Sequence, residues 1–284
     1  MTDHILTLIC DDKPGLVHAV TGGLLDVHGN IVENAQFTDP DTNTFCMRTI
    51  VATPGDDSAA IHAAVDRRIG DIAGDGAQLR VRPRAQRPRV LIMVSKFDHC
   101  LVDLLYRWRA GMLDVDIPLV VSNHPDCRPA VDRYGIEFVH LPVTNDTKPT
   151  QEAQIRELVE AHRIDLVVLA RYMQILSDDL CAFLDGRAIN IHHSFLPGFK
   201  GAKPYHQAHA RGVKLVGATA HFVTADLDEG PIIEQEVARV NHTHTAGQLV
   251  ELGQDIERLV LSRAVKAWAE DRIMRVADKT VVFP

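Results

Sequence analysis

Ala188-Ile-Asn-Ile-His-His-Ser-Phe-Leu-Pro197 sets an apolar stretch directly against an amide, two imidazoles and a hydroxyl, then stops at proline. Asn190 and His192 are two residues apart, so on a strand they project to the same face. An Asn amide donates a hydrogen bond, and an imidazole can donate another or move a proton, which is equipment for stabilising an oxyanion. A lone histidine at a strand end is more often structural. Val223-Thr-Ala-Asp-Leu-Asp-Glu-Gly-Pro231 follows a second apolar run and carries Asp226, Asp228 and Glu229, which by composition alone suit a solvated loop as well as a site. Ser95 and Lys96, just after the run Val90 to Val94, have the chemistry to hold an anion or to lie on a plain surface.

Such groups act only where a scaffold holds them. Ile5 to Cys10 reads as a strand, Asp12-Lys-Pro-Gly-Leu16 breaks it, and Leu16, Val20, Leu24 and Val27 fall at helical spacing. Ile31 to Thr38 and Thr44 to Val51 form a hairpin around Asp39-Pro-Asp-Thr-Asn43, with Phe45, Met47, Thr49 and Val51 on one face. Ile61, Val65 and Ile69 mark a second helix and Gln78 to Arg82 a fourth strand, giving βαββαβ, a ferredoxin-like split unit over residues 1–82. Residues 83–89, basic and rich in proline, read as a linker. Over residues 90–284 strands alternate with crossover helices, the mark of a mostly parallel, Rossmann-like α/β sheet. Strands are expected at Val90 to Val94, Val115 to Ser122, Glu137 to His140, Leu166 to Ala170 and Arg187 to His193, with helices near 98–110, 126–134 and 151–162. Leu215 to Thr224 and Ile232 to Val240 read as a late antiparallel pair, and residues 245–272 as a long amphipathic helix. Ligands of such sheets bind beyond the carboxyl ends of the strands, where Asn190 and His192 fall.

At 284 residues and 46% hydrophobic content the chain can bury two cores. A formal net charge of −8 argues against a partner bound through phosphate neutralisation, so a small substrate is expected and no nucleic acid. Five scattered cysteines without a CxxC pair spell neither a disulfide framework nor a zinc motif. The opening residues show no secretory pattern, and no segment approaches ~18 uninterrupted apolar residues. A cytoplasmic chain with no membrane partner is expected.

Asn190-Ile-His192, followed by His221-Phe-Val and then by Asp228-Glu-Gly-Pro-Ile-Ile233, resembles the signature of the folate-dependent formyltransferases, in which Asn, His and Asp are the catalytic trio. The resemblance assigns those roles to Asn190, His192 and Asp228. Ala170-Arg-Tyr-Met-Gln-Ile-Leu176, Asn190 to Pro197, Lys203-Pro-Tyr-His-Gln207 and Leu261-Ser-Arg-Ala264 resemble the hydrolytic, deformylase branch, and the N-terminal unit resembles the ACT domain that this branch carries.

In the transferases a glycine-rich Gly-Ser-Asn turn after the first strand cradles a substrate phosphate; this chain has Met93-Val-Ser-Lys-Phe-Asp-His-Cys100 there, with no glycine. The resemblance therefore implies hydrolysis of 10-formyltetrahydrofolate, with water as nucleophile, to formate and tetrahydrofolate, supplying formate for purine synthesis and balancing the one-carbon folate pool. It leaves open whether Asp228 or His192 is the formal base. It implies that the pterin lies against Met173, Gln174, Ile175 and Leu176 and near Thr224 to Asp228, with His193 beside it; spacing alone favours core positions for Met173 and Leu176. Ser95 and Lys96 keep the anion role as an expectation. His193, Lys203, His206 and His209 add polarity, but no spacing among them demands a metal, and no cofactor beyond the folate substrate is expected. For the ACT-like unit the resemblance implies a homo-oligomer, dimer or tetramer, and an amino-acid effector near Asp12, Gly15, Leu16 and Asn34. Transfer to a small amine, and a non-catalytic sensor of folate or amino acids, stay open as alternatives.

Overall fold

The computed structural model describes residues 1–196 and 204–284. The chain divides into two compact units, residues 1–87 with 270–284, and residues 88–269.

The first unit runs β1 (Thr2–Asp11), α1 (Leu16–Asp26), β2 (Asn30–Asp39), β3 (Thr44–Thr53), α2 (Ser58–Ala73) and β4 (Gln78–Pro83). Its antiparallel sheet has the order β2-β3-β1-β4, the βαββαβ topology read from the sequence. Gly15 takes a φ of +98° where the chain turns from β1 into α1, a conformation that favours glycine. Asp57 caps α2 by accepting from the Ala60 amide at 2.9 Å. Leu16, Val20 and Leu24 of α1 and Ile61, Val65 and Ile69 of α2 bury their stripe against Leu6, Leu8, Met47 and Val51.

The second unit begins with β5 (Arg89–Val94), α3 (His99–Arg109), β6 (Asp116–Ser122), α4 (Arg128–Asp132), β7 (Glu137–His140), α5 (Lys148–Ala161) and β8 (Leu166–Leu169). It continues with α6 (Asp178–Phe183), β9 (Ala188–His192), α7 (Pro204–Ala210), β10 (Leu215–Phe222), β11 (Ile232–Arg239) and α8 (Ala246–Ala269). The sheet order is β11-β10-β9-β8-β5-β6-β7. Strands β9 to β7 in that order are parallel, and β10 and β11 are antiparallel, as expected. From β5 the chain winds outward through β6 and β7, then returns to β8 on the other side. The carboxyl ends of β5 and β8 therefore flank a topological switch point, where an open α/β sheet forms its crevice. Leu91, Met93, Leu119, Val121, Val167 and Leu169 fill the sheet core beneath it.

Two departures from the sequence reading concern short elements and the end of the chain. Helices α6 and α7 were not expected, although Ser177 caps α6 by accepting from the Leu180 amide at 3.2 Å and Asp178 and Asp179 occupy its first turn. Residues 270–284 were expected in the second domain; they group with the first unit as a hairpin of β12 (Ile273–Val276) and β13 (Lys279–Val282). Met274, Val276 and Phe283 bury Cys46, and the Glu270 carbonyl accepts from Arg48 Nε at 2.9 Å. Strand β3 is consequently buried on both faces, not on one.

Candidate active site

Strand β9 ends at His192, and its antiparallel pairing with β10 sets Asn190 opposite His221 and His192 opposite Thr219. Asn190 Nδ2 lies 3.2 Å from His221 Nε2, and His221 Nδ1 lies 2.8 Å from the Phe222 carbonyl. A carbonyl only accepts, so the His221 proton sits on Nδ1 and Nε2 accepts from the Asn190 amide. Burial lowers the His221 pKa and keeps the ring neutral. The Asn190 amide is thereby oriented, with its second N–H left over.

The turn between β10 and β11 brings the acid to this pair. Asp228 adopts a φ of +58°, unusual for a residue with a Cβ and worth about 1–3 kcal/mol of strain. Gly230 allows the turn to close: a Cβ there would stand 1.8 Å from the Phe222 carbonyl oxygen. Asp226 and Glu229 face solvent, whereas Asp228 turns inward. Its Oδ1 lies 3.2 Å from His192 Nδ1 and 3.8 Å from His221 Nε2. Burial pushes the Asp228 carboxyl up, but the hydrogen bond from His192 and the pull of the surrounding imidazoles outweigh it and hold the group below the usual carboxylate range. His192 is 4% exposed, and its Nε2 has no hydrogen-bond partner among the described residues. Asn190, His192 and Asp228 thus meet at one point, with one imidazole nitrogen uncommitted.

That point opens on a cavity of about 660 Å³. One wall is the loop Met173, Gln174, Ile175 and Leu176 with the stretch Thr224 to Asp228. Met173 and Ile175 stand 51% and 62% exposed, whereas Leu176 is buried, so the core alternative holds for Leu176 and not for Met173. Gln151 Nε2 donates to the Tyr172 hydroxyl at 2.7 Å and anchors the loop from below, and Thr224 Oγ1 donates to the Asp226 carbonyl at 3.0 Å. The lining also includes the polar residues His193, Tyr205, His206, Arg171 and Glu257. Burial, joined by the charges of Arg171 and His192, brings the His193 pKa down to about 4. Glu257 Oε2 accepts from His99 Nε2 at 2.8 Å, Glu257 Oε1 from the Tyr205 hydroxyl at 2.9 Å, and Arg171 Nε approaches Oε2 to 3.4 Å. Burial raises the Glu257 carboxyl, and these partners more than offset it. Among the described residues, His99, Cys100 and Glu257 bring ligand atoms within 4.8 Å of one another, but the fixed charge of Arg171 at the same carboxylate opposes a cation.

Several expected residues stand elsewhere. Ser95 is buried and does not line the cavity; its hydroxyl donates to Asn123 Oδ1 at 2.7 Å and accepts from the Met173 amide at 2.9 Å, pinning the loop instead of an anion. Lys96 is exposed and also outside the cavity lining. His209 is exposed, and Pro197 and Lys203 lie outside the described residues. In the first unit, Leu16 is 2% exposed and belongs to the core, and Asn34 accepts from Thr49 Oγ1 at 2.7 Å. Asn34 on β2 is separated from Asp12 and Gly15, which follow β1, by the intervening β3. These four residues therefore do not converge on one polar cleft.

The Arg171, His99, Tyr205 and Glu257 group was missed in the sequence. Glu257 carried a readable signal, being a charge on the apolar stripe of α8, four residues after buried Gly253 and four before buried Leu261. Arg171 carried none.

Residues 88–265 match the model of the formyl transferase family. A formyltetrahydrofolate deformylase from Corynebacterium sp. (strain P-1) is 49% identical over 99% of this chain and 98% of its own. The crystal structure of a formyltetrahydrofolate deformylase from Burkholderia mallei is 49% identical, covers each chain fully, and superposes with a TM-score of 0.94. A glycinamide ribonucleotide transformylase from Symbiobacterium toebii is 28% identical, covering 74% of this chain and all of its own, with a TM-score of 0.66. The chain belongs to the formyl transferase family, in its formyltetrahydrofolate deformylase branch.

Proposed function

We propose that this chain hydrolyses 10-formyltetrahydrofolate to formate and tetrahydrofolate in the cavity at the carboxyl ends of β5, β8 and β9. The observation that carries the reading is the His192 to Asp228 pair, whose remaining imidazole nitrogen is buried, unpartnered and at the cavity wall. Water adds to the formyl carbon, the carbonyl oxygen becomes an oxyanion, the bond from carbon to N10 breaks as N10 takes a proton, and formate leaves. The uncommitted Asn190 N–H and His192 suit the oxyanion, a role in which one lost donor typically costs about 3–4 kcal/mol of transition-state binding. Ionised Asp228 holds the His192 ring and stabilises it when protonated, so the pair can pass a proton from water to N10. The apolar wall at Met173 and Ile175 fits a flat ring such as the pterin, with Gln174, Leu176 and Thr224 beside it.

The same pairing favours catalysis over a non-catalytic sensor. No cofactor enters this chemistry. The exposed edge strand β2, with Ile31, Val32 and Phe37 at its surface, supports an oligomer built through the ACT-like unit, and the turn from β1 into α1, at Asp12 and Gly15, is where the resemblance puts an amino-acid effector. Five unpaired cysteines suit a reducing cytoplasm, and among the described residues no helix is long and apolar enough to cross a membrane. The formate produced would supply purine synthesis and the reaction would balance the one-carbon folate pool.

Asp228→Asn tests the reading. It is expected to lower turnover by about two to four decades with folate affinity nearly unchanged. Unchanged turnover would remove Asp228 from the mechanism.

A further inference from the structure

Arg171 brings a buried positive charge into the cavity that the hydrolytic steps above do not use. It follows β8 directly and holds a φ of +64°, the left-handed conformation that a residue with a Cβ rarely adopts. Strain of this kind survives where surrounding structure over-determines it, and it gathers at ligand clamps. Asp228, which also lines the cavity, shares the feature.

The side chain is 10% exposed and lines the cavity, with Phe97 stacked 5.6 Å from its Cζ. A guanidinium has five N–H donors. Here its Nε is fully buried without a hydrogen-bond partner. The neighbouring Glu257 neutralises the charge from 3.4 Å, while its oxygens accept their hydrogen bonds from His99 and Tyr205. Buried donors in folded proteins are nearly always satisfied, so a guanidinium on a strained backbone that lines a cavity, ion-paired but without a hydrogen bond among the described residues, is in position to receive something absent from the chain itself. Its planar fork matches a carboxylate better than any other small anion present in the proposed reaction.

We propose that Arg171 is a carboxylate-binding residue of the catalytic cavity, its uncommitted N–H groups receiving a carboxylate that the reaction makes or brings. The proposal rests on the hydrolytic reading. Two carboxylates qualify: formate, created in this cavity when the bond to N10 breaks, and the glutamate carboxylate of the folate tail.

The test measures binding of 13C-labelled formate to the full-length protein by line broadening, which needs no turnover, in the wild type, Arg171→Gln and Glu257→Gln. If formate is the ligand, Arg171→Gln weakens its binding by about tenfold or more, the scale of a lost charge-assisted hydrogen bond. Glu257→Gln removes a competing carboxylate while leaving the guanidinium, so it tightens formate by about threefold, the scale of one weak charge contact. That second variant decides the matter if Arg171→Gln does not fold. If the tail is the ligand, Arg171→Gln raises KM by about tenfold for 10-formyltetrahydrofolate but not for the same compound lacking its glutamate. Formate binding and both KM values within about twofold of wild type in Arg171→Gln, or weaker formate binding in Glu257→Gln, would overturn the proposal. Arg171-dependent formate binding in a protein that never turns over the folate would overturn the hydrolytic reading alone.

Discussion

His192 and His193 are adjacent, yet only the first is hydrogen-bonded to Asp228, while the second is buried beside Arg171. His193, buried beside Arg171 and His192, has its pKa brought from 6.5 down to about 4. It stays neutral in the folded chain through a range where the unfolded chain takes up a proton. Stability contributed by this site is therefore complete above pH 6.5 and is lost as pH falls from 6.5 toward 4. The loss amounts to about 2 kcal/mol between pH 7 and pH 5. His221, also lowered by burial, acts in the same direction. Urea unfolding at the two pH values should show the drop, and His193→Gln should shrink it; an equal drop in the variant would mean that the proton uptake lies elsewhere. Strand parity alone brought Asn190 and His192 to one face in the sequence, but nothing in a sequence shows that a residue such as Arg171 takes a left-handed backbone.

Between β10 and β11 the loop is held by contacts too close for any side chain at Gly230. Adding a methyl group there would drive its carbon into the Phe222 carbonyl, which is backbone and cannot rotate away. Gly230→Ala should open the turn, shift Asp228 off His192, and cut turnover by about 10²-fold, the usual cost of misplacing a catalytic group by about 1 Å. Stability should fall by about 2–4 kcal/mol in the same variant, as judged by denaturant midpoint. A variant with normal turnover would show that the turn does not hold Asp228 in place. The long periodic elements were legible: α1, α2 and α8 through their apolar stripes, the parallel strands through their apolar runs. Short α6 was not, because six residues hold too few turns for a stripe, and only its cap and acidic first turn mark it. Glu257 interrupts the apolar stripe of α8 with a charge, and periodicity alone does not weigh such an interruption.

Across the whole chain, alternating strands and helices disclosed two units of different topology, and the switch point in the second explains why the chemistry gathers where it does. The destination of residues 270–284 was not legible. Met274, Val276 and Phe283 are too few to declare which sheet face they cover, and that face on β3 reads as a separate pattern more than 200 residues away. Deleting 270–284 should uncover Cys46 and Arg48 and make the first unit sensitive to proteolysis near β3; unchanged resistance would mean that the hairpin adds nothing to that unit. Catalysis itself is tested most directly by incubating the full chain with 10-formyltetrahydrofolate and no amine acceptor, while following tetrahydrofolate and formate together. The account predicts equal release of both. Product that forms only once an amine is supplied, or no product under any condition, would contradict it.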